Sequence, residues 1–132
     1  MKNLGGKVAV ITGGASGLGR AFAQRFAAQG MKLALADIEE PVLEATVAEL
    51  RASGAEVIGV PCDVSDQASV QNFHQQVMET YGAAHVLCLN AGVASGGTIA
   101  ELTAAQWDWV LGVNLYGIIY GLEAFLPGLL TQ

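Results

Sequence analysis

Three glycines in the segment Thr12-Gly-Gly-Ala-Ser-Gly-Leu-Gly19 stand at the spacing G-x-x-x-G-x-G. That pattern suits a turn that holds phosphate. Gly13 permits a sharp turn off a preceding strand. Gly17 lets backbone N–H groups approach a pyrophosphate with no Cβ in the way, and Gly19 lets the next helix pack closely on the strand. Ser16 and Leu18 complete the turn and join the glycines as candidate cofactor-binding residues. A helix beginning here offers unpaired N–H donors and positive dipole potential to the phosphates. No Gly-Lys-Ser/Thr follows, so a P-loop is excluded.

A second candidate is the acid that closes the run Lys32–Asp37. A carboxylate at the end of a second strand accepts hydrogen bonds from adenosine ribose hydroxyls and repels a 2′-phosphate. Ile38, Glu39 and Glu40 follow, with no adjacent Arg or Lys to offer a phosphate. NAD is therefore expected over NADP, and Ile38 is counted with Asp37 among the candidate contacts. Asn114 is the third candidate. It stands at i+4 from Val110 and i−4 from Ile118, on an apolar stripe. An unpaired buried amide costs roughly 1–3 kcal/mol, so a hydrogen-bond partner is expected for it.

The elements that must position these residues follow from the hydrophobic pattern. Val8–Ile11, Leu33–Ala36, Val57–Val60 and Val86–Leu89 are apolar runs without alternation, the pattern of strands buried on both faces. Between them lie helical spacings: Leu18, Phe22 and Phe26; Leu43, Val47 and Leu50; Val70, Phe73, Val77 and Tyr81. Gly30, Gly54 and Gly82 follow these segments as C-terminal caps. One helix per strand-to-strand interval is the βαβ rhythm of a parallel sheet. A fourth helix is announced by a capping box at Thr103 and Gln106, with Leu102 and Trp107 as a hydrophobic staple, and is expected to run toward Pro127. The fold class expected is α/β: a Rossmann-like parallel sheet in strand order 3-2-1-4, flanked by helices, with a cofactor crevice between the first and fourth strands.

Composition narrows the function. The 132 residues suit one domain, and 1–132 reads as a single dinucleotide-binding unit. Just over half the residues are hydrophobic, 14% are charged, and the net charge of −6 with six scattered basic residues argues against nucleic acid. No signal peptide is read at the N-terminus, and the most apolar window, Trp109–Leu122, is shorter than the roughly 20 residues that span a bilayer. A soluble cytoplasmic protein, not bound to membrane, is expected. Cys62 and Cys88 read as small buried hydrophobes, and no thiol or imidazole cluster suggests a metal. His74 and His85 read as structural, and Trp107 and Trp109 as packing residues.

Together these residues resemble the short-chain dehydrogenases/reductases. The loop TGGASGLG is similar to that family's TGxxxGxG cofactor motif. Asp63-Val64 after the third strand resembles its adenine-contacting Asp-Val. Asn90-Ala91-Gly92 matches its NAG motif, whose Asn steadies the central sheet and whose turn borders the cofactor. Asn114 within Val113-Asn114 matches the Asn of its Asn-Ser-Tyr-Lys tetrad, which makes Asn114 the catalytic candidate. The resemblance runs from Thr12 to Asn114.

In the family, the catalytic Ser follows a fifth strand and a Tyr-x-x-x-Lys lies on the next helix. No tyrosine here has a lysine four residues later, and Lys2, Lys7 and Lys32 all lie at or before the second strand. The resemblance thus implies the N-terminal, NAD(H)-binding part of an oxidoreductase, truncated relative to the full family fold. An alcohol or carbonyl substrate is implied only if the remaining segment is supplied. Two other readings stand beside this one: a non-catalytic NAD-binding or scaffolding module, and a methyltransferase-like nucleotide-binding domain. An uncovered fourth strand and an apolar fourth helix predict a homo-oligomer, with Gly117 and Gly121 admitting a second helix.

Overall fold

The four apolar runs pair side by side in a computed structural model, which describes residues 3–132. The strands are β1 (Val8–Thr12), β2 (Lys32–Asp37), β3 (Val57–Pro61) and β4 (Val86–Leu89), all parallel and ordered β3-β2-β1-β4. Ala9 sits beside Leu33 on one side and Val86 on the other. The connecting helices are α1 (Gly17–Ala27), α2 (Glu40–Ala52) and α3 (Gln67–Tyr81). After β4 come α4 (Ala104–Leu111), a π-helical turn (Gly112–Tyr116) and α5 (Gly117–Leu130). The expected α/β class and strand order are the ones observed.

Successive side chains of a strand point to opposite faces of the sheet, so the four strands feed two cores. Ala9, Ile11, Leu33 and Leu35 pack with Ala23 of α1 and with Leu43, Val47 and Leu50 of α2. Val8, Val10, Ala34 and Ala36 face the other way, onto Val70, Phe73 and Val77 of α3 and Phe125 of α5. The helical spacings of α2 and α3 therefore point as expected. Gly30, Gly54 and Gly82 all adopt positive φ, the conformation that lets the chain reverse after a helix.

Four expectations need correction. In α1 the buried face is Gly19 and Ala23, whereas Leu18 is 69% exposed and only Phe26 of its predicted stripe packs on the core. The glycine turn draws the helix start so close to β1 that only small side chains fit beneath it. β4 is only partly buried along its whole length, since it pairs with β1 alone among the described residues. Gly117 and Gly121 face inward rather than toward a partner: a Cβ on Gly121 would lie 2.4 Å from Leu89 Cδ2, and one on Gly117 would lie 2.8 Å from Val64 Cγ2. Finally, the helix runs through Pro127 to Leu130. Proline deletes a single N–H there, within the last turn, and the Thr131 hydroxyl donates to the carbonyls of Pro127 and Gly128.

Ala104–Leu130 is one helical run of 27 residues, long and apolar enough by length and composition to cross a bilayer, which the shorter sequence window did not suggest. Its inner face packs on β4 and α3. Outward it presents Leu111, Leu115, Ile118 and Leu122, each at least 39% exposed. Trp107 and Trp109, read as packing residues, are 41% and 50% exposed.

Both histidines are structural. His85 Nδ1 accepts the Val8 N–H at 3.1 Å while the His85 N–H donates to the Val8 carbonyl, which ties β4 to β1. His74 sets its ring edge-to-face on Phe125. Burial lowers the pKa of both from the ordinary 6.5, and the Lys7 charge adds to the effect at His85. A folded-state pKa below the unfolded value means the unfolded chain takes up protons first as pH falls. The stabilisation is complete above pH 6.5 and is lost below it. Urea midpoints are expected to be level between pH 8 and 7 and to decline between roughly 6.5 and 5, with the decline flattened in His74→Gln/His85→Gln.

Candidate functional site

The turn after β1 owes its shape to its glycines. Gly13 has φ +63° and Gly17 φ +54°, where a side chain is strained. Gly19 is constrained by contact instead: a Cβ there would lie 2.0 Å from the Gly13 carbonyl oxygen and 2.8 Å from Asn90 Nδ2. A Cβ on Gly17, by contrast, would meet no other part of the chain within 4 Å. The start of α1 is thus pressed against the strand while the second glycine opens onto free space. The Ser16 side chain makes no capping bond to α1 and lines the cleft.

Neighbouring strands hold this turn. Asn90 Nδ2 donates to the carbonyls of Thr12 (3.1 Å) and Gly13 (3.3 Å). The N–H groups of Asn90 and Ala91 both donate to the buried Thr12 hydroxyl. On the other side, the Gly14 N–H donates to the Ala36 carbonyl. Asp37 Oδ2 accepts the Ala15 N–H at 3.0 Å, and its Oδ1 accepts the Glu39 N–H at 3.1 Å. After β3, Asp63 Oδ1 accepts from both the N–H and the hydroxyl of Ser65, which fixes that carboxylate at the rim.

These carboxyl ends enclose a cleft of about 650 Å³, within the usual range of small-molecule sites. Of the residues singled out from sequence, Gly13, Ser16, Asp37, Ile38, Asp63 and Val64 line it, as do Asn90, Ala91 and Gly92. Gly17, Leu18 and Gly19 do not. Sequence reasoning missed Glu39, Cys62, Ser65, Val93, Trp109 and Val113 as lining residues. Glu39, Cys62, Ser65 and Val93 each adjoin a residue that was singled out, which was the available signal. Val113 likewise adjoins Asn114, whereas Trp109 had no such signal, because it arrives from a distant helix. Burial, reinforced by the charges of Asp63 and Asp66, keeps the Cys62 thiol's pKa raised despite an opposing bond from Ser69.

Asn114 stands apart from that cleft. It borders a neighbouring hollow of about 290 Å³ with Val93, Trp107 and Val110. Its side chain is exposed rather than on a buried stripe, because the π-helical turn rotates Val113 and Gly117 inward in its place. The expected hydrogen bonding is present and reciprocal: Oδ1 accepts the Val93 N–H and Nδ2 donates to the Val93 carbonyl, both at 2.8 Å. Asn114 thereby fixes the segment that leaves the Asn90–Gly92 turn.

A glycine turn on the first strand, an acid on the second, and an Asn-Ala-Gly turn on the fourth meet at the switch point of a parallel sheet, where such folds bind nucleotides. The family model for short chain dehydrogenases matches residues 7–132, and the chain belongs to that family. A dehydrogenase/reductase of CLA biosynthesis from Lactiplantibacillus plantarum is 39% identical over 132 residues, covering 100% of this chain and 46% of the relative. The 2,5-dichloro-2,5-cyclohexadiene-1,4-diol dehydrogenase LinX of Sphingobium indicum is 39% identical, covering 98% and 52%. The chain spans about half the length of the curated relatives it matches. Among solved structures, a short chain dehydrogenase/reductase from Burkholderia phymatum in complex with NAD superposes with TM-score 0.98 at 52% identity, covering 100% of this chain and 47% of that one. L-sorbose reductase from Gluconobacter frateurii, complexed with NADPH and L-sorbose, gives TM-score 0.92 at 30% identity, covering 96% and 49%. Proteins of this family bind nicotinamide cofactors, so the methyltransferase-like reading falls away.

The two kinds of glycine constraint separate experimentally. Gly19→Ala is expected to cost several kcal/mol and lower the thermal midpoint sharply, because backbone atoms must move. Gly17→Ala meets no atom and carries only the left-handed penalty of about 1–2 kcal/mol. Thermal and urea melts of the two variants check the order.

Proposed function

We propose that the cleft binds NAD(H) in preference to NADP(H), and that the chain is the cofactor-binding part of an oxidoreductase that moves hydride between nicotinamide and an alcohol or carbonyl substrate. The observation that carries the reading is the Asp37 carboxylate in the cleft lining beside the glycine turn, whose Ala15 N–H it accepts. Gly13, Ser16 and the start of α1 receive the pyrophosphate. Asp37 takes the adenosine ribose, with Ile38 against the adenine and Asp63-Val64 at its edge. Asn90, Ala91 and Gly92 border the nicotinamide half. When bound, the nicotinamide supplies the hydride chemistry. The chain's own residues bind it, orient it and hold the turn after β4, where Asn114 acts through Val93.

The two solved relatives hold different cofactors, so the preference for NAD rests on Asp37. Its carboxylate faces a 2′-phosphate with like charge, and Ile38, Glu39 and Glu40 supply no cation to offset it. Calorimetric titration is expected to give NAD⁺ at least about tenfold tighter binding than NADP⁺, with Asp37→Ala narrowing the ratio. Equal or tighter NADP⁺ binding by the parent chain overturns the assignment.

The exposed apolar face of α4 and α5, beside the unpaired edge of β4, supports association into a homo-oligomer of a soluble, cytoplasmic protein. The acidic surface fits neither nucleic acid nor anionic membrane. Light scattering across a micromolar concentration series is expected to give a mass above the 13.6 kDa of one chain. A monomer throughout would refute the association.

A further inference from the structure

Two polar side chains, Thr12 and Thr46, are buried among the described residues, each only 4% exposed. Thr12 belongs to the turn and receives the N–H groups of Asn90 and Ala91. Thr46 lies in the middle of α2 and is not among the residues that line the cleft. A threonine inside a helix ordinarily returns its hydroxyl to a carbonyl of its own preceding turn. Thr46 instead reaches out of its helix, and its hydroxyl donates to the Ala15 carbonyl at 2.7 Å.

Ala15, itself 2% exposed, is the residue immediately before Ser16 and Gly17. Its N–H is already taken by Asp37 Oδ2. Both backbone polar groups of this one residue are therefore held by side chains, one from the end of β2 and one from α2. Gly14 before it is pinned to the Ala36 carbonyl. Beyond Ala15 the turn opens into free space at Gly17. The last fixed point before the open segment is the Ala15 residue, and its orientation sets where the next N–H groups point.

We infer that Thr46 is a positioning residue of the cofactor site: its hydroxyl locks the Ala15 peptide so that the phosphate turn is already in binding geometry before the ligand arrives. The inference deepens the NAD reading and rests on it for its binding consequence. Preorganisation of this kind appears as affinity, because a ligand meeting a loosened turn must order it first. Asp37 acts twice in consequence, as the ribose acceptor and as the anchor of the Ala15 N–H.

Three variants of the full chain test this. Thr46→Val removes the hydroxyl at nearly constant volume. Thr46→Ser keeps the hydroxyl. Val47→Ala, next to Thr46 but facing the core under Gly59, serves as a control of general destabilisation. Titration with NAD⁺ is expected to show about tenfold weaker binding for Thr46→Val, near-parent binding for Thr46→Ser, and near-parent binding for Val47→Ala despite its lower melting temperature. Binding by Thr46→Val equal to the parent, or a loss in Val47→Ala that matches it, overturns the inference. Hydrogen exchange read by NMR supplies the ligand-free arm: the hydrogen-bonded Gly14 and Ala15 amides are expected to exchange faster in Thr46→Val, while those of Ala34 and Leu35 in β2 keep their parent rates. If the parent binds no NAD⁺, the functional reading fails, and the exchange data still decide the lock. Unchanged turn amides sink it.

Discussion

The carbonyl oxygen of Gly13 occupies the place where a side chain on residue 19 would begin, and the rest of the site depends on that contact. A Cβ at residue 19 would lie 2.0 Å from this oxygen, so α1 starts against the end of β1 only because residue 19 is glycine. The closeness leaves room beneath the helix for Ala23 and little more, which is why the larger Leu18 and Phe22 turn outward. It also brings Asn90 within reach of the Thr12 and Gly13 carbonyls from the far side of the strand. With a longer gap, those carbonyls would lose their donors and the cleft its floor.

Strand order turns that contact into a site. β1 lies between β2 and β4, so the chain leaves it in one direction and returns to its other side three helices later. The carboxyl ends of all four strands then share one edge, with helices on both faces keeping water from the central strands β1 and β2. Asp37 and Asn90, far apart in sequence, come to flank the same turn, and each gives it hydrogen bonds. The acid and the amide thus stabilise the turn while shaping a cleft about 650 Å³ in volume. In the proposed reading, recognition and scaffolding fall on the same atoms, so substitutions made to change one are expected to disturb the other.

The long C-terminal helical run follows a different logic. Gly117 and Gly121 allow it to lie directly on Val64 and Leu89, and Phe125 then reaches Phe73. The π-helical turn at Gly112–Tyr116 rotates the face of the helix by one residue just before those glycines. Such single-turn π segments occur mostly within α-helices and often at functional positions. Here the rotation frees Asn114 from the core and offers its amide to both backbone groups of Val93. The outer face of the run remains apolar and exposed.

Local chemistry in the sequence determined the strands, the buried faces of α2 and α3, the capping box at Thr103 and Gln106, and the need for glycine at the turn after β1. Each depends on neighbours within a few positions, through side-chain alternation, helical periodicity or permitted φ. The Asp37 position was legible for the same reason, since the end of a buried strand marks the edge of a sheet, whereas Asn90 was legible through the resemblance of Asn90-Ala91-Gly92 to a family motif. Only the tertiary structure decided which face of α1 is buried, where Gly117 and Gly121 point, and that Asn114 is exposed. It also brought Trp109 and Val113 to the cleft and the Thr46 hydroxyl to the Ala15 carbonyl. Those outcomes turn on contacts between segments distant in sequence. A one-residue change of helical phase, or an approach closer than a Cβ allows, reverses them, and no local pattern records either.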